Sequence, residues 1–164
     1  MQIFKASKPT RQLDIYTDGA CSSKTKMGGW GLVVVENDEV IHQAGGYEPY
    51  STNNRMELMA ILTALRLTDE IESANTAVTI YTDSAYCCNT FNQKWYANWE
   101  KNGWKTADKK DVKNQDLLTE MVALYIKNKV KHNIVIAKVE GHSGIKYNEM
   151  VDAIAVAKRK ELEI

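Results

Sequence analysis

The chain has 164 residues, room for one ordinary domain with its own core, and 44% of them are hydrophobic. Its 21 Lys and Arg balance its 21 Asp and Glu, so global charge names no partner and a nucleic-acid signal must come from local clustering. No stretch approaches the ~18 apolar residues of a membrane span, and the N-terminus lacks a signal-peptide core, which argues against a membrane role.

Residues 13–18 alternate apolar and polar and predict a strand ending in Asp18. Residues 28–35 predict a second strand, and residues 39–47 a third, joined through the polar turn Glu36-Asn37-Asp38. Short connections make these three an antiparallel meander. From residue 53 to about 70 the period becomes helical, with Leu58, Ile61, Leu62 and Leu65 on one stripe and Ser51 or Thr52 placed to cap it. A fourth strand is expected over about 76–82, then a helix opened by Ser84. Residues 92–113 are rich in Trp and Lys and read as irregular. Leu117, Leu118, Met121, Leu124 and Tyr125 mark another helix, residues 133–139 a fifth strand, and residues 147–161 a last helix. A hairpin set followed by alternating helices and strands predicts an α/β domain with a mixed sheet covered by helices, over residues 1–164. Cys21, Cys87 and Cys88 are odd in number and lack CxxC spacing, so they build neither a disulfide framework nor a zinc site. They fit a reduced, cytoplasmic compartment.

Tyr-Thr-Asp occurs twice, at Tyr16-Thr17-Asp18 and Tyr81-Thr82-Asp83, each time closing an alternating run. If the two strands are parallel neighbours, ~4.8 Å apart, the two carboxylates come together. Either one stays protonated or a cation sits between them. Glu57 shares a helical face with Ile61 and Leu65, where a carboxylate is costly unless paired or metal-bound. It either reaches water at the edge of the stripe, pairs with Arg55 or Arg66, or binds a cation. Asp152 lies among apolar and small residues four positions after Asn148, either as an ordinary first-turn acid or as a ligand. Together the four acids suggest a hard-cation site, because Mg²⁺ takes oxygen ligands and keeps waters for a substrate phosphate. Two such ions suit phosphodiester hydrolysis.

The ordered motifs resemble type 1 ribonuclease H, of the bacterial kind with a basic protrusion, over nearly the whole chain. They are Tyr16-Thr17-Asp18-Gly19-Ala20-Cys21, Gly28-Gly29-Trp30-Gly31, Thr52-Asn53-Asn54-Arg55-Met56-Glu57-Leu58 and Thr82-Asp83-Ser84. Gly103-Trp104-Lys105-Thr106, Gly141-His142-Ser143-Gly144, Asn148 and Val151-Asp152 follow in the same order. The resemblance implies a ribonuclease H-like fold, with a five-stranded mixed sheet of three antiparallel then parallel strands flanked by helices. It implies an endoribonuclease that cuts the RNA strand of RNA–DNA hybrids with two Mg²⁺ ions, Mn²⁺ being a possible substitute, leaving 5′-phosphate and 3′-hydroxyl ends. The family's acids carry over as Asp18, Glu57, Asp83 and Asp152, and its auxiliary histidine as His142 in a Gly-rich loop, where an imidazole moves protons near neutrality.

Substrate contacts carry over in the same way. Cys21, Asn53 and Glu57 fall in the family's 2′-hydroxyl network, and Thr52, Asn54 and Arg55 match a phosphate pocket for the DNA strand. Ser84 and Asn148 also fall on substrate-side motif positions. Two residues depart from the usual pattern: Lys24 stands where many members have an Asn contact, and Ala85 where many have Gln. Between residues 94 and 113, lysines interleave with Trp95, Trp99 and Trp104, a composition suited to a nucleic-acid backbone. Trp95 and Trp99, four apart, read as packing a protruding segment onto the body, the lysines, Lys105 among them, as binding, and Trp104 as either. The expected partner is a hybrid duplex bound by a monomer. A binding module without catalysis and a DNA-cutting nuclease of the same fold are the competing readings.

Overall fold

The strands β1 (Arg11–Cys21), β2 (Gly28–Glu36) and β3 (Glu39–Glu48) form the expected meander in a computed structural model, which describes residue 9, residues 11–139 and residues 146–162. The β2–β3 turn closes over two residues, Asn37 and Asp38, with φ of 52° and 64°. This left-handed pair matches the strand twist, and Asn and Asp tolerate it. β1 runs past its expected end, because Gly19, Ala20 and Cys21 pair with Trp30, Gly29 and Gly28.

β4 (Thr76–Thr82) adds to the other edge of β1 in parallel, with Tyr16 opposite Tyr81, and β5 (Asn133–Lys138) adds to β4, also in parallel. The resulting order is β3-β2-β1-β4-β5, the five-stranded mixed sheet expected. The rings of Tyr16 and Tyr81 stack at 4.6 Å.

Helices cover both faces. α1 (Asn53–Asp69) starts where Thr52 Oγ1 accepts from the Arg55 backbone N–H at 3.1 Å. Its stripe of Leu58, Ile61, Leu62 and Leu65 is fully buried against Ile15, Leu32, Val78 and Ile80. α2 (Ala85–Asn92) begins at Ser84, whose Oγ accepts from the Cys87 N–H at 3.2 Å. α4 (Gln115–Lys129) seals the same core with Leu118 and Met121. α5 (Lys146–Glu161) lies on the opposite face, where Val151 buries against Val33 and Val35.

Residues 92–113 are not wholly irregular. They contain a short helix, α3 (Trp95–Lys101), which starts at Lys94 in the left-handed region without a side-chain cap. Aromatic packing holds it: Tyr96 is buried beside Phe91 and Tyr125. Trp95, Trp99 and Trp104 form a ladder with ring centroids 6.5 and 5.9 Å apart. Among the described residues no helix is long and apolar enough to cross a membrane.

Candidate active site

The parallel pairing of β1 and β4 places the two Tyr-Thr-Asp copies side by side, and Thr17 Oγ1 locks them by donating to the Tyr81 carbonyl at 2.7 Å. Asp18 follows within β1, three residues before its end, and Asp83 just beyond the end of β4. Glu57 comes from α1, which presses onto β1 at Gly19. A Cβ on Gly19 would stand 2.4 Å from the Glu57 backbone N and 2.5 Å from the Met56 carbonyl carbon. Only a residue without a side chain admits this approach. The Gly19 N–H donates to Asp18 Oδ1 at 2.9 Å and to Glu57 Oε1 at 3.2 Å.

One carboxylate oxygen from each of Asp18, Glu57 and Asp83 lies within 4.8 Å of the other two. Asp152 on α5 lines the same cleft of about 680 Å³, close enough to the Asp18 carboxyl to help raise its pKa. The structure thus brings all four acids together, and the pairings of Glu57 with Arg55 or Arg66 do not form: Arg55 and Arg66 hold other acids.

Electrostatically the cluster is unbalanced. Burial, then the charge of Asp83, pushes the Asp18 carboxyl up to about 7. The same causes, with the charge of Asp18 added, push Glu57 up to about 10. Glu57 Oε2 is buried with no hydrogen-bond partner among the described residues. Orphaned oxygens and mutually repelling acids are what a bound cation relieves. The all-oxygen donor set suits a hard divalent ion.

Cys21, Asn53, Asn54 and Ser84 line the cleft. The Cys21 N–H donates to Asn53 Oδ1 at 2.7 Å, which joins the end of β1 to the start of α1. Thr52 faces a neighbouring pocket of about 550 Å³, shared with Asn54, Trp99, Lys110 and Lys113. Arg55 lines neither cavity. Its guanidinium is bidentate to Asp116, at 3.0 and 2.7 Å, and also donates to Glu48 at 2.6 Å. Lys24 lies exposed in the β1–β2 turn, outside the cleft. Trp95 and Lys105 line a separate pocket that none of the four acids lines; Lys105 pairs with Asp111, and Trp104 packs against Trp99 with its ring tilted by 35°. Asn148 is buried outside the cleft lining, its Nδ2 unpartnered among the described residues. His142 lies outside the described residues. Sequence reasoning missed Ser22, Ser23, Val156 and Arg159, which also line the cleft. Positions 156 and 159 follow Asp152 by four and seven, the spacing of one helical face.

A mixed sheet with acids gathered at the carboxyl ends of its central strands defines this chain as a hydrolase of the nuclease class. Its relatives narrow the class. The family model described as RNase H matches residues 10–160. A ribonuclease H of Chlorobaculum parvum is 43% identical over 151 residues, 92% of this chain and 97% of that protein. One of Francisella philomiragia is 46% identical over 140 residues, 85% of this chain and 86% of that one. Among solved structures, LC9-RNase H1, a type 1 RNase H with the type 2 active-site motif, superposes with a TM-score of 0.77 at 25% identity, covering 94% of this chain and 75% of that one. LC11-RNase H1, solved with an RNA/DNA hybrid, shares the fold with a TM-score of 0.69 at 16% identity, covering 93% and 99%. The chain belongs to the ribonuclease H family.

Proposed function

We propose that the chain hydrolyses the RNA strand of RNA–DNA hybrids in a metal-dependent reaction, leaving 5′-phosphate and 3′-hydroxyl ends. The observation that carries this reading is the set of three carboxylate oxygens within 4.8 Å, two of them on buried side chains, in a chain of this family. Asp18, Glu57, Asp83 and Asp152 would hold Mg²⁺, two ions with substrate bound, and Mn²⁺ would substitute. When bound, such ions make a coordinated water nucleophilic and offset charge on the phosphate.

The chain's own residues position the substrate. The sheet fixes Asp18 and Asp83, and the Gly19 N–H orients one oxygen each of Asp18 and Glu57. Asn53, anchored through its Oδ1 to the Cys21 N–H, keeps an amide donor in the cleft wall for a ribose 2′-hydroxyl, the group that separates RNA from DNA. The Thr52–Asn54 pocket, with Lys110 and Lys113, offers hydroxyl, amide and ammonium donors to a DNA-strand phosphate. Because Arg55 is spent on Glu48 and Asp116, its part is to brace that pocket. Lys24, Trp95, Trp104 and Lys105 add basic and aromatic surface outside the cleft, and His142 is assigned proton transfer on its motif.

The test is cleavage of an end-labelled hybrid across a Mg²⁺ and Mn²⁺ series, with EDTA and with Asp83→Asn. Wild type should cut only the RNA strand and only with metal, and Asp83→Asn should bind hybrid but lose at least about 1,000-fold in rate, as losing a charged ligand implies. Mg²⁺-dependent cutting retained by that variant overturns the mechanism. Intact RNA in every lane, or cutting of duplex DNA, overturns the activity.

A further inference from the structure

Arg159 is the one Lys or Arg among the described residues lining the carboxylate cleft. Every other ionisable group there, apart from the Cys21 thiol, is one of the four acids. A strand of phosphates laid across four carboxylates meets repulsion unless cations flank the site. Arg159 stands where such a cation is needed.

Two rulers fix its place. Along α5, seven residues separate it from Asp152, about 10.5 Å at 1.5 Å per residue, and Asp152, Val156 and Arg159 share the face turned to the cleft. Along β1, Cys21 lies three residues beyond Asp18, about 10 Å at 3.3 Å per residue. The two lines converge. The α5 backbone lies directly on β2 at Gly29, where a Cβ would stand 2.2 Å from the Ala155 carbonyl oxygen and 2.4 Å from the Arg159 N. Gly29 is paired with Ala20, the residue before Cys21. Arg159 is close enough to the Cys21 thiol for its charge to be felt there, as is Lys26.

We propose that Arg159 grips a backbone phosphate of the cut strand next to the scissile one, on the side of the site walled by Cys21, Ser22 and Ser23. This rests on the hybrid-cleavage reading above and names the residue that holds the strand at one end of the metal cluster. Guanidinium is suited to the task because its planar fork meets two phosphate oxygens at once. The contact is made to the substrate's backbone before and during reaction alike, so it supports binding more than turnover.

The experiment compares wild type, Arg159→Gln and Arg159→Lys on a short hybrid with a single preferred cut, in Mg²⁺, across a NaCl series. A second substrate set carries one uncharged methylphosphonate at either RNA phosphate flanking the cut. Wild-type cleavage of the unmodified hybrid establishes the underlying reading independently. Arg159→Gln should raise KM about tenfold with kcat within about twofold, and lower the slope of log(kcat/KM) against log[salt] by about 1. Arg159→Lys, which keeps the charge but not the fork, should recover the slope and only part of the KM. At one flanking position the methylphosphonate should cost wild type a similar factor and cost Arg159→Gln nothing more. A KM for Arg159→Gln within twofold of wild type, or penalties that multiply at both flanking positions, overturns the assignment.

Discussion

Gly19→Ala tests whether helix placement sets the metal cluster. The new methyl would sit 2.4 Å from the Glu57 backbone N and 2.5 Å from the Met56 carbonyl carbon, against 3.4 Å for ordinary contact. Both obstacles are helix backbone, so the first turns of α1 must retreat by about 1 Å. Glu57 moves with them, away from the Asp18 and Asp83 oxygens that its own carboxylate faces within 4.8 Å. A displacement of that size in a catalytic constellation costs about 100-fold in kcat. The strain itself costs about 1–3 kcal/mol, or about 2–10 °C in Tm for a chain of this length. Steady-state cleavage at saturating hybrid and Mg²⁺, beside a thermal melt, reads both quantities. Gly103→Ala is the control: φ is +74° but nothing lies within 4 Å, so it should lose about 1 kcal/mol and no activity. A Gly19→Ala enzyme with kcat within threefold of wild type would show that the α1–β1 contact does not set the site.

Glu57→Gln should change how metal-free stability depends on pH. Asp18 and Glu57 titrate higher in the folded state than in the unfolded chain, so the stability they contribute is complete below about pH 4 and is lost as pH rises through about 7 and about 10. In EDTA the variant should melt about 3 °C or more above wild type at pH 8, with the gap shrinking by pH 5; a gap independent of pH refutes the assignment. Arg55→Ala should cost about 1–2 kcal/mol in urea unfolding, since Arg55 ties the end of β3 to α1 and α4. Asp116 is 62% exposed, so its coupling to Arg55 in a double-mutant cycle should stay below about 1 kcal/mol, and a value above about 2 would contradict that exposure. His132 is buried, its Nδ1 accepts from the Thr76 N–H at 3.2 Å, and burial lowers its pKa. Its contribution is present above about pH 6.5 and lost as pH falls through the lowered folded value. His132→Asn keeps an acceptor, so its unfolding free energy should vary less than wild type between pH 7 and 5.

Much of this architecture is legible in residue order. The alternation before Asp18 and Asp83 locates two strands, and their matched tripeptides anticipate the register that aligns Tyr16 with Tyr81. The 3.6-residue stripe and the Thr52 cap locate α1 within a residue. α3 escapes because it has seven residues, no capping side chain and a helical signal made of aromatics that also suit a binding surface. The extension of β1 through Gly19 escapes because glycine reads as a strand end, and only pairing with Gly28 to Trp30 sustains it. Arg55 looks like a phosphate ligand until Glu48 and Asp116, 7 and 61 positions away, are seen to hold it. Arg159 is hidden for the opposite reason. A cation in the last turn of a helix is ordinary, and only the packing of α5 on Gly29 turns it toward the acids.

The four acids stand on two kinds of support. Asp18 and Asp83 are spaced by a hydrogen-bonded lattice that cannot stretch without breaking the ladder. Glu57 and Asp152 ride on helices seated against glycines: α1 on Gly19, and α5 on Gly29 through its backbone and on Gly31 and Gly45 through Ile154. Any shift of α5 carries Asp152 and Arg159 together, so a change in its seat moves an acid and a cation of the cleft as one unit. A substitution beneath α5, far from the cleft, would therefore shift both groups without replacing either.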